Sequence, residues 1–169
     1  MTVQTANETV VHESFTIERR YTSSPEQVWH AFADPAVKRR WFAEGEGFEV
    51  IDYGLDFRVG GREHGSFNAL KAPVPLGVIS NETRYFDIRE GRRIALAYSM
   101  SNDGTPFSAS LVTIEFSPEG GGTLLTFTES VAFFEGSDGL KMRQTGTRTL
   151  LEALAKELGE DWVKIEWGS

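Results

Sequence analysis

The sequence predicts an α+β fold in which a curved antiparallel sheet of about seven strands wraps around one long C-terminal helix, with two short helices after the first strand. Three observations carry this expectation. Period-two alternation of apolar and polar residues recurs in segment after segment between Glu13 and Val131. Hairpin-type turns separate the later segments, with no helix between them, which argues against a parallel doubly wound sheet. The longest stretch of helical spacing comes last, after Ser137.

From Glu13 to Tyr21, Phe15, Ile17, Arg19 and Tyr21 share one face and Thr16, Glu18 and Arg20 the other, the mark of a half-buried strand. Ser24 then caps a helix, Pro25 suits its first position, and Gln27 completes a capping box. Val28, Trp29 and Phe32 form its apolar side. Asp34-Pro35 repeats the start signal for a second short helix with Val37, Trp41 and Phe42. Glu44 to Gly47 ends it, and Phe48 to Ile51 reads as a brief strand. Asp56-Phe57-Arg58-Val59-Gly60-Gly61 reads as a tight turn, because a phosphate cradle needs a different glycine spacing and a following helix. Arg62 to Asn68 resumes as a strand.

Four strands follow, at Gly77 to Ile88, Arg93 to Met100, Ser108 to Phe116 and Thr123 to Val131. Ile94, Leu96, Tyr98 and Met100 share a face, as do Val112, Ile114 and Phe116, and again Leu125, Phe127 and Val131. The last helix takes Ser137 or Asp138 as its cap and Gly159 as its stop. Leu140, Thr147, Leu151, Leu154 and Leu158 fall on one side of it, over roughly 28 Å at about 1.5 Å per residue. Trp162, Ile165 and Trp167 read as a short tail that packs down, and Met1 to Val10 as a disordered leader. No repeat, linker or shift in composition divides residues 11–169, so they read as one domain.

Composition narrows the function classes. A chain of 169 residues with 40 % hydrophobic and 25 % charged residues can bury a core. A formal charge of −8 repels phosphate backbones and no basic aromatic stripe offsets it, so nucleic acid is not expected. With no cysteine, thiolate catalysis, disulfides and cysteine-bound zinc are excluded. His12, His30 and His64 are scattered, so neither a metal site nor a cofactor is expected. No apolar run approaches the roughly 20 residues that cross a bilayer, so no membrane role is expected and the cytoplasm is the default location.

Four stretches resemble the family named after the activator of the heat-shock-protein-90 ATPase, within the superfamily of START domains, polyketide cyclases and the birch-pollen allergen. They are Arg20 to Trp29, Asp34-Pro35 with Arg40-Trp41-Phe42, Asp56 to Gly61, and Gly121 to Phe127. Their order and spacing agree over roughly Ser14 to Leu158. The resemblance implies the helix-grip fold, with a cavity between sheet and helix. Two departures stand out: Val59 replaces a common proline, and Met142 to Thr147 lacks the family's glycine-tryptophan step, so the pocket wall there differs in shape. A chaperone contact follows from the family name alone. Family members often pair, and exposed aromatics are compatible with a homodimer.

The candidate site residues follow from that cavity. His64, Glu82 and Tyr98 each sit in mid-strand, either as surface residues or as polar groups in the pocket. His64 and Glu82 together could do general acid–base chemistry if both face the concave side. Gln144 and Arg148 share a helix face, with Thr147 about 100° away. Arg148 is either a surface cation or a partner for a ligand carboxylate or Glu82. Leu151, Phe57 and Phe67 supply apolar wall, and one of Phe133 and Phe134 could cover an entrance. Nothing resembles a nucleophile with its base and orienting group. Binding of a small hydrophobic or amphipathic molecule is the first expectation. A cyclase or dehydratase using His64, Glu82 or Tyr98 is the second, and a protein-interaction domain with a filled cavity the third.

Overall fold

The computed structural model describes residues 9–45, 47–70 and 77–160. The Trp162, Ile165 and Trp167 tail and Met1 to Glu8 of the leader lie outside the described residues. Strand β1 (Val11–Tyr21) is followed by α1 (Pro25–Ala33) and α2 (Pro35–Lys38), which continues as a π-helical turn (Arg39–Ala43). Then come β2 (Phe48–Leu55), β3 (Arg62–Ala69), β4 (Ile79–Arg89), β5 (Arg93–Asn102), β6 (Thr105–Glu119), β7 (Gly122–Phe133) and α3 (Leu140–Glu157). The seven strands form one curved antiparallel sheet in the order β1-β7-β6-β5-β4-β3-β2. Five hairpin neighbours follow the chain from β2 to β7. The crossing from β1 at one edge to β2 at the other carries α1, α2 and the π-helical turn. This is the fold class that the alternation and the final helix predict.

Local chemistry sets the helix starts. The Ser24 side chain accepts from the Gln27 backbone N–H while the Gln27 side chain accepts from Ser24 N at 3.0 Å, a reciprocal cap. Asp34 Oδ1 accepts from Ala36 N at 2.9 Å and Val37 N at 3.2 Å, which starts α2. The start of α3 differs from the expectation: its N-cap is Gly139, at φ 85°, not Ser137 or Asp138. The Asp138 carboxylate is held by Arg143 instead, so it does not cap. Strand β2 also runs past Ile51 to Leu55, because a bulge between Val50 and Asp52 lets pairing with β3 continue.

Alternation sorts the sheet into two faces. Ile17, Leu96, Val112, Ile114 and Leu125 point to the inner face and pack with Trp29 and Phe32 of α1 and Leu151 and Leu154 of α3. The long helix is tied to this half by Tyr21 Oη, which donates to Leu151 O at 2.9 Å. Just beyond α3, the Glu160 carboxylate accepts from Thr22 N, Ser23 N and Ser23 Oγ at 2.7–3.0 Å. One half of the inner face is therefore a conventional apolar core, and its position leaves the other half under the N-terminal turns of α3.

Candidate functional site

Strand register sets polar side chains across that second half. One row reads Glu63, Thr83, Tyr98, Ser110 and Val131 from β3 to β7. The next reads Gly65, Asn81, Met100, Ser108 and Phe133. Glu63, Asn81, Thr83, Ser108 and Ser110 are all buried, where a sheet face turned to a core normally carries apolar groups.

Arg143, in the first turn of α3, organises one cluster. Its Nε and Nη2 donate to Asp138 at 2.8 and 2.9 Å, Nη2 also donates to Ser108 Oγ at 2.8 Å, and Nη1 donates to Glu129 Oε2 at 2.9 Å and to Tyr98 Oη at 3.0 Å. Tyr98 Oη and Ser110 Oγ in turn donate to the same Glu129 Oε2 at 2.7 and 2.6 Å. Burial works against the Arg143 charge, yet the Asp138 hydrogen bonds and the surrounding negative groups outweigh it and hold the guanidinium above its ordinary range. Burial also opposes ionisation of Asp138, but Arg143 keeps that carboxyl below the usual carboxylate range. Burial, reinforced by Glu129, pushes the Tyr98 phenol up.

A second buried cluster lies toward β2. Lys38 Nζ donates to Glu63 Oε1 at 3.1 Å, and Tyr85 Oη to the same oxygen at 2.9 Å. Tyr53 Oη donates to Glu63 Oε2 at 2.6 Å. The Lys38 ammonium also stands 4.6 Å from the Phe42 ring centroid and 5.8 Å from that of Trp41, within cation–π range. Here both carboxylate oxygens have donors.

The Arg143 cluster is not completed in that way. Glu129 is fully buried, and its Oε1 has no hydrogen-bond donor among the described residues. Asn81 Oδ1 and Asn102 Oδ1 are likewise buried without a donor. Asn102 is in phase with Tyr98 and Met100 on β5, and Asn81 lies across from Met100. Asn81 and Asn102 thus lie within the polar half, and Glu129, opposite Val112 on β6, stands at its border with the apolar core and reaches into the polar half through Tyr98 and Ser110. Each unpartnered acceptor costs about 1–3 kcal/mol relative to a satisfied group. Gly65 makes room beside Asn81: a Cβ there would fall 2.5 Å from the Phe67 ring and 2.8 Å from Asn81 Oδ1. Phe67, Tyr98 and Met100 around these groups are only half-buried.

The residues expected from the sequence are divided by this geometry. Tyr98 and Phe67 are on the inner face among the polar rows. Gln144 and Arg148 are half-buried on α3, one residue from the buried Arg143 and Thr147. Leu151 belongs to the apolar core, and Phe57 packs edge-on against Trp29 and Tyr85 at 5.7 and 5.2 Å between centroids. Phe133 ends β7 as a buried residue, with Phe134 half-buried after it. His64 and Glu82 do face each other across β3 and β4, but on the outer face. His64 lies over Gly54 with Nε2 2.9 Å from Asp52 Oδ2, and Glu82 is engaged by Arg62 at 2.6 Å. Strand parity thus puts this pair on the face opposite the one where acid–base chemistry in an enclosed site, or a pairing of Glu82 with Arg148, would need it. The neighbours of His64 and Glu82, at 63 and 83, take the inner positions.

Sequence reasoning passed over Arg143, Glu129, Ser108, Ser110 and Asn81. Their signal was parity: Glu129 is in phase with Leu125, Phe127 and Val131, and Arg143 lies four residues before Thr147 and eight before Leu151. Among the described residues no three His, Cys, Asp or Glu side chains are grouped to hold a metal ion. Two open recesses of about 400 and 500 Å³ lie elsewhere, one near His12, Ser14 and Ser130 and one between α1, α2 and the end of α3.

Residues 22–159 match the family model described as activator of Hsp90 ATPase homolog 1-like protein. The chain belongs to this family. A solved protein structure from Rhizobium loti is 45 % identical, covers 88 % of this chain and 99 % of its own, and superposes with a TM-score of 0.77. An uncharacterized protein from Rhizobium leguminosarum is 36 % identical over 90 % of this chain and 97 % of its own, with a TM-score of 0.82. The AHSA1-like protein from Aeromonas hydrophila shares the fold at 22 % identity and a TM-score of 0.63, covering 87 % of this chain and 92 % of its own. No curated protein matches the chain. The Hsp90-activator homologue fold accounts for the grip of sheet on helix; the polar half of the inner face is read from this chain's own residues. No helix among the described residues is long and apolar enough to cross a membrane.

Proposed function

We propose that this protein binds a small hydrophobic or amphipathic molecule against the polar half of the inner sheet face, beneath the N-terminal turns of α3. One observation carries the reading: among the described residues Glu129 Oε1, Asn81 Oδ1 and Asn102 Oδ1 are buried without donors, the two amides within the polar half near half-buried Phe67 and Met100 and Glu129 at its border beside Tyr98. A protein that filled this space with its own side chains would gain by pairing those acceptors or replacing them with apolar groups. Tyr98, Phe67 and Gln144 line the site, and Arg148 borders it. A cytoplasmic location and a homodimeric state belong to the same proposal, whereas a chaperone contact rests on the family name alone.

Native mass spectrometry of protein purified without added ligand tests the reading, with denaturing extraction of whatever is carried. A discrete small-molecule mass at fixed stoichiometry is expected, lost in Tyr98→Ala and retained in His64→Ala. A ligand retained by Tyr98→Ala and lost by His64→Ala would place the site on the outer face and overturn the proposal. The same spectra report monomer or dimer.

A further inference from the structure

We infer that the site selects a ligand whose head group donates hydrogen bonds and carries no negative charge, an amine before a neutral hydroxyl, on an apolar body. This rests on the binding reading and adds the ligand's chemistry to it. Arg143 is the cation in contact with the cluster, and its guanidinium is already committed to Asp138, Glu129, Tyr98 and Ser108. A ligand carboxylate could reach it only by displacing one of these partners. Formal charges on Arg143, Glu129 and Asp138 sum to −1, which favours a cation over an anion in direct contact with these three, Arg148 at the border of the site being left out of the sum.

The unpartnered atoms make the same selection by a different route. Glu129 Oε1 has no donor while its Oε2 has three, from Tyr98, Ser110 and Arg143. A carboxylate oxygen accepts and cannot donate, so only a donating head group completes it. An ammonium does so with a charge-assisted bond, which is stronger than the bond a neutral hydroxyl makes. Asn81 Oδ1, three strands away on β4, is a separate open acceptor that a second donor could meet, while its Nδ2 donates to Thr83 Oγ1 at 3.1 Å. Phe67 and Met100, half-buried beside it, offer the apolar contact that an alkyl or ring body needs.

Isothermal titration of the full chain with octylamine, 1-octanol and octanoate, identical in tail and different in head, tests this directly. Octylamine should bind about tenfold or more tighter than octanoate, with 1-octanol between them. Glu129→Gln keeps an acceptor toward Tyr98 and Ser110 and puts an amide N–H at the open position. It should abolish the advantage of octylamine over 1-octanol while 1-octanol affinity changes by less than about threefold. Asn81→Leu is the second variant: three strands from Glu129, it leaves the ion pairs intact and should keep the octylamine-to-1-octanol affinity ratio within about threefold of the parent. Octanoate binding as tightly as octylamine overturns the head-group inference and leaves the binding reading standing. An octylamine preference that survives Glu129→Gln, or that is lost in Asn81→Leu, overturns its placement at Glu129. No binding by any of the three overturns the proposed function, and this inference with it.

Discussion

In the Lys38–Glu63 pair both carboxylate oxygens are matched, Oε1 by Lys38 and Tyr85 and Oε2 by Tyr53. In the Arg143–Glu129 pair Oε2 collects three donors and Oε1 none. Both pairs are nearly or fully buried, both join a helical segment to the inner sheet face, and both include tyrosines. The difference is completeness. A closed pair offers a ligand nothing, and removing a member only leaves charge stranded. An open pair leaves part of its hydrogen-bonding capacity for something else to use. The first therefore serves the fold and the second the site, and each assignment can be broken separately.

The largest effect should come from the closed pair. Lys38→Met leaves Glu63, 2 % exposed, without its cation. The loss expected is about 3–5 kcal/mol, the usual cost of breaking a buried pair from one side. Urea denaturation measures it, and a loss below about 1 kcal/mol would show that the pair is not the closed structural unit described. Ligand binding by the folded fraction should persist.

Matched amide substitutions sharpen the contrast. Glu63→Gln turns one acceptor into a donor where both positions face donors and strips Lys38 of its counter-charge. Glu129→Gln can place its carbonyl where Oε2 stands and its amide where nothing donates, while Asp138 still neutralises Arg143. Glu63→Gln should cost about 2 kcal/mol more than Glu129→Gln. Equal urea midpoints in the two variants would erase the distinction between closed and open.

Strand parity explains what was legible beforehand. The sequence shows β1 through Phe15, Ile17, Arg19 and Tyr21, the capping box through Ser24 and Gln27, and the gripping helix through its leucine spacing, because burial and capping are local signals. The site is harder to read. Tyr98 is found because it alternates with Ile94 and Leu96, but Glu129 alternates just as cleanly with Leu125 and Phe127 and passes unnoticed as an acidic residue among apolar ones. His64 and Glu82 attract attention by chemistry alone, and the inner positions go to Glu63 and Thr83. Lys38 carries no such signal. Its burial depends on the aromatic rings of the adjoining π-helical turn and on a strand reached only after two further turns of chain.

The next effect is one of pH and touches both clusters. All four tyrosines are pushed above the ordinary phenol range: burial is the largest cause in each, joined by Glu63 at Tyr53 and Tyr85 and by Glu129 at Tyr98. A pKa raised in the folded state means the native chain keeps protons that the unfolded chain releases. The resulting stability is whole below about pH 10, where unfolded tyrosine titrates, and declines as pH rises beyond it. Absorbance at 295 nm followed with far-UV circular dichroism should show phenolate only as the fold is lost. A tyrosine ionising near pH 10 with the dichroism unchanged would expose Tyr21 or one of the clusters, and Tyr21→Phe and Tyr98→Phe would identify which.

The smallest effect should lie on the outer face. The Arg62–Glu82 pair has short contacts, at 2.6 Å, but both side chains are about half-exposed, so solvent screens the attraction and ordering two long side chains offsets it. Glu82→Ala and His64→Ala should leave the urea midpoint and octylamine binding at wild-type values. These two residues are the ones whose chemistry alone would nominate them for catalysis, which makes their silence informative. If either substitution weakened binding while Glu129→Gln did not, the ligand would be held outside the grip, and the unpartnered acceptors of the inner face would be a cost of the fold with no counterpart in function.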